Sequence, residues 1–316
     1  MRFPKEHSDA RETRDAQGLP QKLRGRSFLL PLKMEPASLG FHFVKGSAQL
    51  VWKGVINMNI CSFQAHDAPV IGYIQDDHDR LVAHKKRPAI IICAGGAYRW
   101  LSPREKDPVA LSFAAMGYHT FLIEYSVGDK AAGLKPLREL AEAVRILRKR
   151  AEEWHIEPNR IAVLGFSAGG HLAASLAALW QHEELGLGAD CRPDAAVLCY
   201  PVITTGEFRH PESIKHVTGG DAELMELLCL EKQVTKNMPP TFVWHCTGDE
   251  SVPVENTILL TAAMQRAGVD YECHLFAGGA HGISMCDQEV ETPYPAAAEW
   301  VKLCKTWLNG HFEFIP

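Results

Sequence analysis

Gly165-Phe166-Ser167-Ala168-Gly169 is a G-x-S-x-G pentapeptide between the apolar run Ile161–Leu164 and the helical stretch His171–Trp180. A serine on a sharp strand-to-helix turn has its hydroxyl pushed out above a sheet edge, where it can act as a nucleophile in acyl transfer. Such a turn needs small residues two positions either side, and Gly165 and Gly169 supply them. The following helix aims its N-terminal N–H groups at the same place. An ordinary tight turn carrying an exposed serine is the competing reading; strand before and helix after favour the nucleophile. His171 lies inside the helix and is read as a packing or positioning residue.

A serine hydroxyl is a poor nucleophile without a base, and the base needs a partner that holds its tautomer. Strand–turn–helix serines of this kind are followed in the chain first by the acid and then by the base. Asp249, in the loop after the strand-like run Thr241–His245, lies 82 residues after Ser167. His281, in the glycine-rich Phe276-Ala-Gly-Gly-Ala-His281-Gly282, lies 32 residues further on. Both intervals leave room for strand–helix units. Glu250 competes with Asp249 but should point elsewhere in the turn. His245 is too early in the order to be the base and should pack beneath the loop. His274 sits within a strand and reads as structural.

Acyl transfer also needs N–H donors for the oxygen that becomes negative. One should be the N–H of Ala168, the residue after the nucleophile. The others should come from Ala94-Gly95-Gly96-Ala97-Tyr98, after the apolar run Ala89–Cys93, with Gly96 and Ala97 preferred. Tyr98, Arg99 and Trp100 are then placed to line the mouth of the site as substrate-binding residues, against the plainer reading that Trp100 simply packs.

The elements that must position these groups alternate. Val55–Phe63 and Pro69–Ile74 read as an opening strand pair turning at Asp67 and Ala68. Ala89–Cys93, Tyr118–Glu124, Ile161–Leu164, Ala195–Tyr200, Thr241–His245 and Tyr271–Phe276 read as strands. Helices are expected over Pro103–Met116, Pro136–Trp154, Ala168–Gln181, Val254–Ala267 and Ala296–Leu308, the last closed by Gly310. Residues 201–240 are mixed, with a short helix near Ala222–Leu230, and could form a small cap. Strands alternating with long helices imply an α/β class with a mainly parallel sheet of about eight strands covered on both faces. Sites in such sheets lie beyond the carboxyl ends of the strands, which is where the candidate residues fall.

The 316 residues have 46% hydrophobic and 22% charged content, which excludes a disordered or fibrous chain. The net charge of −5 gives no reason to expect a nucleic-acid partner, and no apolar run suits a membrane helix. The first 33 residues carry eight Lys or Arg and four Asp or Glu, so residues 1–34 read as a basic, poorly ordered tail. With Glu6, Asp9, Glu12 and Asp15 in it and no long apolar stretch, neither a transit peptide nor a secretory signal is expected. Nine cysteines, several in apolar runs and none in CxxC spacing, read as buried thiols in a reducing, cytoplasmic compartment. No metal-ligand cluster is visible, so neither a metal nor another cofactor is expected. Because residues near 95, 167, 249 and 281 must converge, residues 35–316 read as one catalytic domain; a homo-oligomer is left open.

Together these residues resemble the α/β-hydrolase superfamily, and more narrowly its esterase/lipase branch with an H-G-G-G-type loop. Four stretches carry the closer likeness: Cys93-Ala-Gly-Gly-Ala-Tyr-Arg-Trp-Leu-Ser-Pro103, Gly165-Phe-Ser-Ala-Gly-Gly-His171, Tyr200-Pro-Val-Ile203 and Gly278-Gly-Ala-His-Gly282. They are similar to bacterial carbohydrate esterases of the acetyl-xylan esterase type. The resemblance implies a serine hydrolase that removes short acyl groups, acetyl above all, from a small-molecule ester such as an acetylated sugar or xylo-oligosaccharide. Two positions depart from the pattern: Ala94 replaces the usual loop His, and Ala97 replaces the third Gly while keeping its N–H. A prolyl-oligopeptidase-like peptidase shares the Ser, Asp, His order but usually carries a propeller for which there is no room. A dienelactone-type hydrolase would have Cys at position 167. An inactive hydrolase fold used for binding is disfavoured, because all three positions are chemically competent.

Overall fold

A computed structural model describes residues 41–44, 47–50, 58–75, 86–287, 290 and 293–316. The expected tail, residues 1–34, and the start of the first expected strand, residues 55–57, lie outside the described residues. The strands are β1 (Phe41–Val44), β2 (Ser47–Leu50), β3 (Met58–Ala65), β4 (Ala68–Gln75), β5 (Arg87–Cys93), β6 (His119–Ile123), β7 (Ile156–Phe166), β8 (Ala195–Cys199), β9 (Thr241–Cys246) and β10 (Tyr271–Phe276). They form one sheet in the order β1-β2-β3-β4-β6-β5-β7-β8-β9-β10. Pairing is antiparallel from β1 to β4 and between β4 and β6, and parallel from β6 through to β10. The eight strands β3–β10 are those expected of an α/β-hydrolase sheet, and the β1–β2 hairpin extends it.

The helices are α1 (Asp107–Ala115), α2 (Lys135–Lys149), α3 (Ala168–Leu179), α4 (Pro211–Thr218), α5 (Ala222–Leu227), α6 (Glu255–Ala267), α7 (Pro295–Ala298) and α8 (Trp300–His311). Alternate strand residues feed opposite faces, as the two-residue period of a strand requires. Ile91, Val163, Leu198 and Val243 pack with Leu140 and Val144 of α2, Leu172 and Leu176 of α3, and Leu260 and Met264 of α6. Ile90, Ile92, Leu164, Val197, Phe242 and Trp244 pack with Phe113 of α1 and Trp300 and Trp307 of α8. A strand covered on both faces reads as a continuous apolar run, which is why β5 and β8 are legible as central strands.

Register decides where the site forms. Cys93 pairs with Gly165, Phe166 with Cys199, Cys199 with Trp244 and Cys246 with Phe276, so five strands end level at one edge. The chain leaves β5 for β6 on one side, and β7 then pairs with β5 on its other side. That reversal makes the topological switch point at which α/β sheets open a crevice.

Several boundaries differ from expectation: α2 stops at Lys149, short of Trp154, β7 starts at Ile156, ahead of Ile161, the last helix divides at Glu299, and three further differences have visible reasons. The first expected helix divides into a 3-10 turn, Pro103–Glu105, and α1, with a proline near the start of each piece. The last helix runs through Gly310 to His311, because Phe312 and Phe314 beyond it are buried in the core and hold the final turn in place. Within residues 201–240 there are two helices. The unexpected α4 is capped by the His210 side chain, starts with Pro211 and is closed by Gly219 at φ 63°.

Candidate active site

The turn from β7 into α3 places Ser167 at φ 53°, ψ −117°, a conformation L-residues rarely adopt. The flanking glycines are steric necessities. A Cβ on Gly165 would lie 2.1 Å from the Gly169 carbonyl oxygen, and one on Gly169 would lie 2.1 Å from that of Cys93. The Ser167 N–H donates to the Cys199 carbonyl (3.0 Å), and the Ser167 carbonyl accepts from His171 (3.0 Å) and Val202 (3.1 Å) N–H groups. These bonds hold the strained turn between β8 and α3, with Ser167 6% exposed.

The loops after β9 and β10 meet over this serine. The Thr247 N–H donates to the Phe276 carbonyl (2.8 Å) and the Gly248 N–H to the Gly278 carbonyl (2.9 Å). His281 Nδ1 lies 2.6 Å from Asp249 Oδ2, and its Nε2 lies 2.8 Å from Ser167 Oγ. A carboxylate only accepts, so Nδ1 carries the proton and Nε2 is free to accept from the serine hydroxyl. Ser167, His281 and Asp249 are therefore joined in one hydrogen-bonded line.

Asp249 is held from several directions. Its Oδ1 accepts from the N–H groups of Ser251 (3.0 Å) and Val252 (2.9 Å), and its Oδ2 also lies 3.2 Å from His245 Nε2. The same His245 Nε2 donates to the Val252 carbonyl (2.9 Å), so its Nδ1 accepts from the Thr257 hydroxyl (2.8 Å). Burial by itself would raise the Asp249 pKa. Hydrogen bonds from His245 and His281, the His281 charge and the Val252 N–H outweigh it and hold the carboxyl well below the usual range. His245 thus packs beneath the acid loop, Glu250 is exposed, and His274 pairs with Glu272 at 2.7 Å within β10.

The loop after β5 lies against the elbow: a Cβ on Gly95 would meet Phe166 O at 2.9 Å and Ser167 Cβ at 3.0 Å. Gly96 stands at φ 125° and Ala97 at φ 57°. Among the described residues the N–H groups of Gly96, Ala97 and Ala168 have no partner within the chain. Ala97, which stands where the resembled loop has a third Gly, keeps its N–H. The loop is braced from behind, with the Tyr125 hydroxyl donating to the Ala94 carbonyl at 2.5 Å.

Of the three residues expected at the mouth, one is not there. Tyr98 is 1% exposed and points inward; its hydroxyl donates to His171 Nδ1 (2.9 Å), whose Nε2–H donates to the Leu228 carbonyl (3.1 Å). Burial pushes the His171 pKa down to about 4, more than the Leu228 carbonyl and Glu231 raise it, so the ring is neutral and can accept from the tyrosine. The positive φ of Ala97 and Tyr98 (57° and 56°) turns the tyrosine under the loop, which a linear reading could not show. Arg99 is exposed and pairs with Glu212 of α4 at 3.3 Å; Trp100 is 50% exposed. Two residues with no assigned role also prove central: Glu105 and Tyr200, both buried and hydrogen-bonded to each other at 2.6 Å. Nothing in local spacing marks Glu105, which reads as an ordinary first-turn acid. Among the described residues no group of three or more His, Cys, Asp or Glu stands where a metal ion could be held.

Residues 79–196 match the BD-FAE family. The chain is 36% identical to the acetyl ester-xyloside bifunctional hydrolase of Caldicellulosiruptor lactoaceticus, with a TM-score of 0.69, covering 79% of this chain and 89% of that one. It is 33% identical to endo-1,4-beta-xylanase B of Butyrivibrio fibrisolvens over 65% of this chain and 29% identical to the acetylxylan esterase of Xylanibacter ruminicola over 61%. The chain spans 34% and 40% of the length of those two relatives. The sheet order, the strained serine turn and the relative matched over nearly its whole length agree: the chain belongs to the α/β-hydrolase superfamily, in its esterase/lipase branch.

Proposed function

We propose that this protein is a serine esterase that removes short acyl groups, acetyl groups on sugars or xylo-oligosaccharides in particular. The observation that carries this reading is the hydrogen-bonded line from Ser167 Oγ through His281 to Asp249. The unpaired N–H groups of Gly96, Ala97 and Ala168 lie in the loop and helix that flank it.

In this reading Ser167 Oγ attacks the ester carbonyl as its proton passes to His281 Nε2. The carbonyl π electrons move onto oxygen, and the resulting negative charge is stabilised by the Gly96, Ala97 and Ala168 N–H groups. Asp249, held ionised, stabilises the imidazolium and keeps its proton-bearing Nδ1 in place. Collapse of the tetrahedral species breaks the bond to the alcohol oxygen, which takes the proton from His281. Water, deprotonated by His281, then attacks the acyl-serine; the carboxylic acid leaves and Ser167 regains its proton. In an enzyme where one such donor has been removed, the barrier rose by ~3 kcal/mol.

The substrate class rests on the relatives and on the mouth. The C. lactoaceticus relative is named an acetyl ester-xyloside bifunctional hydrolase and the X. ruminicola relative an acetylxylan esterase, and a half-exposed Trp100 next to an Arg99–Glu212 pair suits a sugar ring with hydroxyl groups. Free buried thiols suit a reducing, cytoplasmic setting. Turnover should be measured on p-nitrophenyl esters of increasing chain length, acetylated xylo-oligosaccharides and a prolyl peptide amide. Preference for acetyl esters supports the reading. Preference for the peptide amide replaces it with the peptidase alternative, and no turnover of any substrate leaves a binding protein.

A further inference from the structure

Beneath the reacting groups lies a second carboxylate that touches none of them. Glu105 ends the 3-10 turn after β5 and is 2% exposed. Its Oε2 accepts from the Gly95 N–H (2.8 Å), and its Oε1 accepts from the Tyr200 hydroxyl (2.6 Å). Among the described residues no cation pairs with it. Burying a carboxylate without a counter-ion costs stability that an apolar side chain of similar size would not. Packing alone does not account for it.

Its two partners lead to the two halves of the site. Gly95 directly precedes Gly96 in the loop that flanks Ser167. Tyr200, at the end of β8, accepts the Ser284 N–H at 2.8 Å and sets its ring edge-on to His281, with centroids 5.1 Å apart and planes at 70°. Ser284 follows His281 by three residues, and its hydroxyl donates back to the Arg104 carbonyl (2.6 Å). One carboxylate therefore joins the N–H donor loop to the loop that carries the base.

We propose that Glu105 is a positioning residue: by bridging the Gly95 N–H and the Tyr200 hydroxyl, it holds the Gly96 and Ala97 N–H groups and the His281 imidazole in one frame. This inference rests on the esterase reading above. The chemistry of the bridge is specific. Two donors face two oxygens that only accept, whereas an isosteric amide keeps one accepting oxygen and either reverses the bond to the Tyr200 hydroxyl or leaves the Gly95 N–H facing another N–H. A misaimed oxyanion hole weakens the transition state more than the bound substrate, so the loss belongs in kcat.

The test uses Glu105→Gln, Tyr200→Phe and the double variant, with p-nitrophenyl acetate as substrate and a fluorophosphonate to titrate reactive Ser167. Labelling of Ser167 in the wild type tests the esterase reading; failure there sinks that reading and not merely the bridge. Normalising kcat to titrated sites removes any fraction lost to misfolding. For Glu105→Gln we expect kcat per site to fall about 10- to 100-fold, with KM within about threefold of wild type, a loss smaller than removal of a donor itself. Tyr200→Phe, which keeps the ring against His281, should lose about tenfold. The double variant should fall no more than about threefold below the weaker single, because both break one bridge. An unchanged kcat per site in Glu105→Gln, a loss confined to KM, or losses that multiply in the double variant would overturn the proposal. If Glu105→Gln does not fold, Tyr200→Phe decides, and wild-type kcat per site there also overturns it.

Discussion

The turn after β5 and the loop after β9 each deliver a buried carboxylate to the same sheet edge, and they do so on opposite terms. Asp249 sits among four donors, two of them imidazoles, one of which reaches on to Ser167. Glu105 has two donors, a backbone N–H and a phenol, and neither reaches the serine directly. In the proposed mechanism the first carboxylate faces a ring that becomes positive. The second faces groups that never change charge. Burial makes both expensive, but only Asp249 has a partner whose charge changes in the proposed mechanism.

Ser167→Ala should lower ester turnover by a factor on the order of 10⁶ while leaving far-ultraviolet circular dichroism and thermal midpoint close to wild type. Substantial residual turnover would remove the common target of both carboxylates. Asp249→Asn should lower kcat about 10⁴-fold, because an amide in that position selects the wrong imidazole tautomer. Glu105→Gln should cost far less than Asp249→Asn. Equal losses at the two positions would mean that Glu105 acts on charge and not on placement.

Smaller effects sharpen the difference in stability. Asp249 has a depressed pKa in the fold, so its contribution is complete above about pH 4, the ordinary aspartate range, and is lost only as pH falls below that. His171, pushed down to about 4 by burial, acts in a higher window. The unfolded chain binds a proton there that the fold refuses, so stability should fall as pH drops from about 6.5 toward 4. His119, pushed down to about 3, adds to the same slope. Urea midpoints measured across this range should show the slope reduced, not abolished, in His171→Gln; an unaltered slope would exclude His171 as a contributor. Least of all, Trp100→Ala should raise KM for acetylated xylo-oligosaccharides by less than about tenfold and leave p-nitrophenyl acetate unaffected. An equal change on both substrates would remove Trp100 from sugar recognition.

How far the site could be read in advance depends on the range of the signal. The serine turn is written in five consecutive residues, because its steric demands fall two positions either side of Ser167. Asp249 stands out because it follows the apolar strand β9 and His281 because it lies in a glycine-rich loop after β10, and the level strand ends bring both over the serine. α4 was equally legible in principle, since Pro211 and Gly219 bracket it, yet His210 is not a standard capping residue and the helix is only eight residues long. Tyr98 is expected at the mouth because it directly follows the glycine-rich loop together with Arg99 and Trp100, whereas the positive φ of Ala97 and Tyr98 turns it inward.

Local sequence pattern is enough to place strands β3–β10 in chain order and to single out Ser167, Asp249 and His281, which the fold brings into one hydrogen-bonded line, and the glycine-rich loop beside them. Those features depend on segments of a few residues whose periodicity and turn chemistry are local. Only the tertiary structure decided that Glu105 would be buried against Tyr200, 95 residues away, or that His171 would join Tyr98 to Leu228. A polar side chain reveals its role through the partner that satisfies it once water is excluded. That partner is chosen by the packing of distant segments, which no local pattern records.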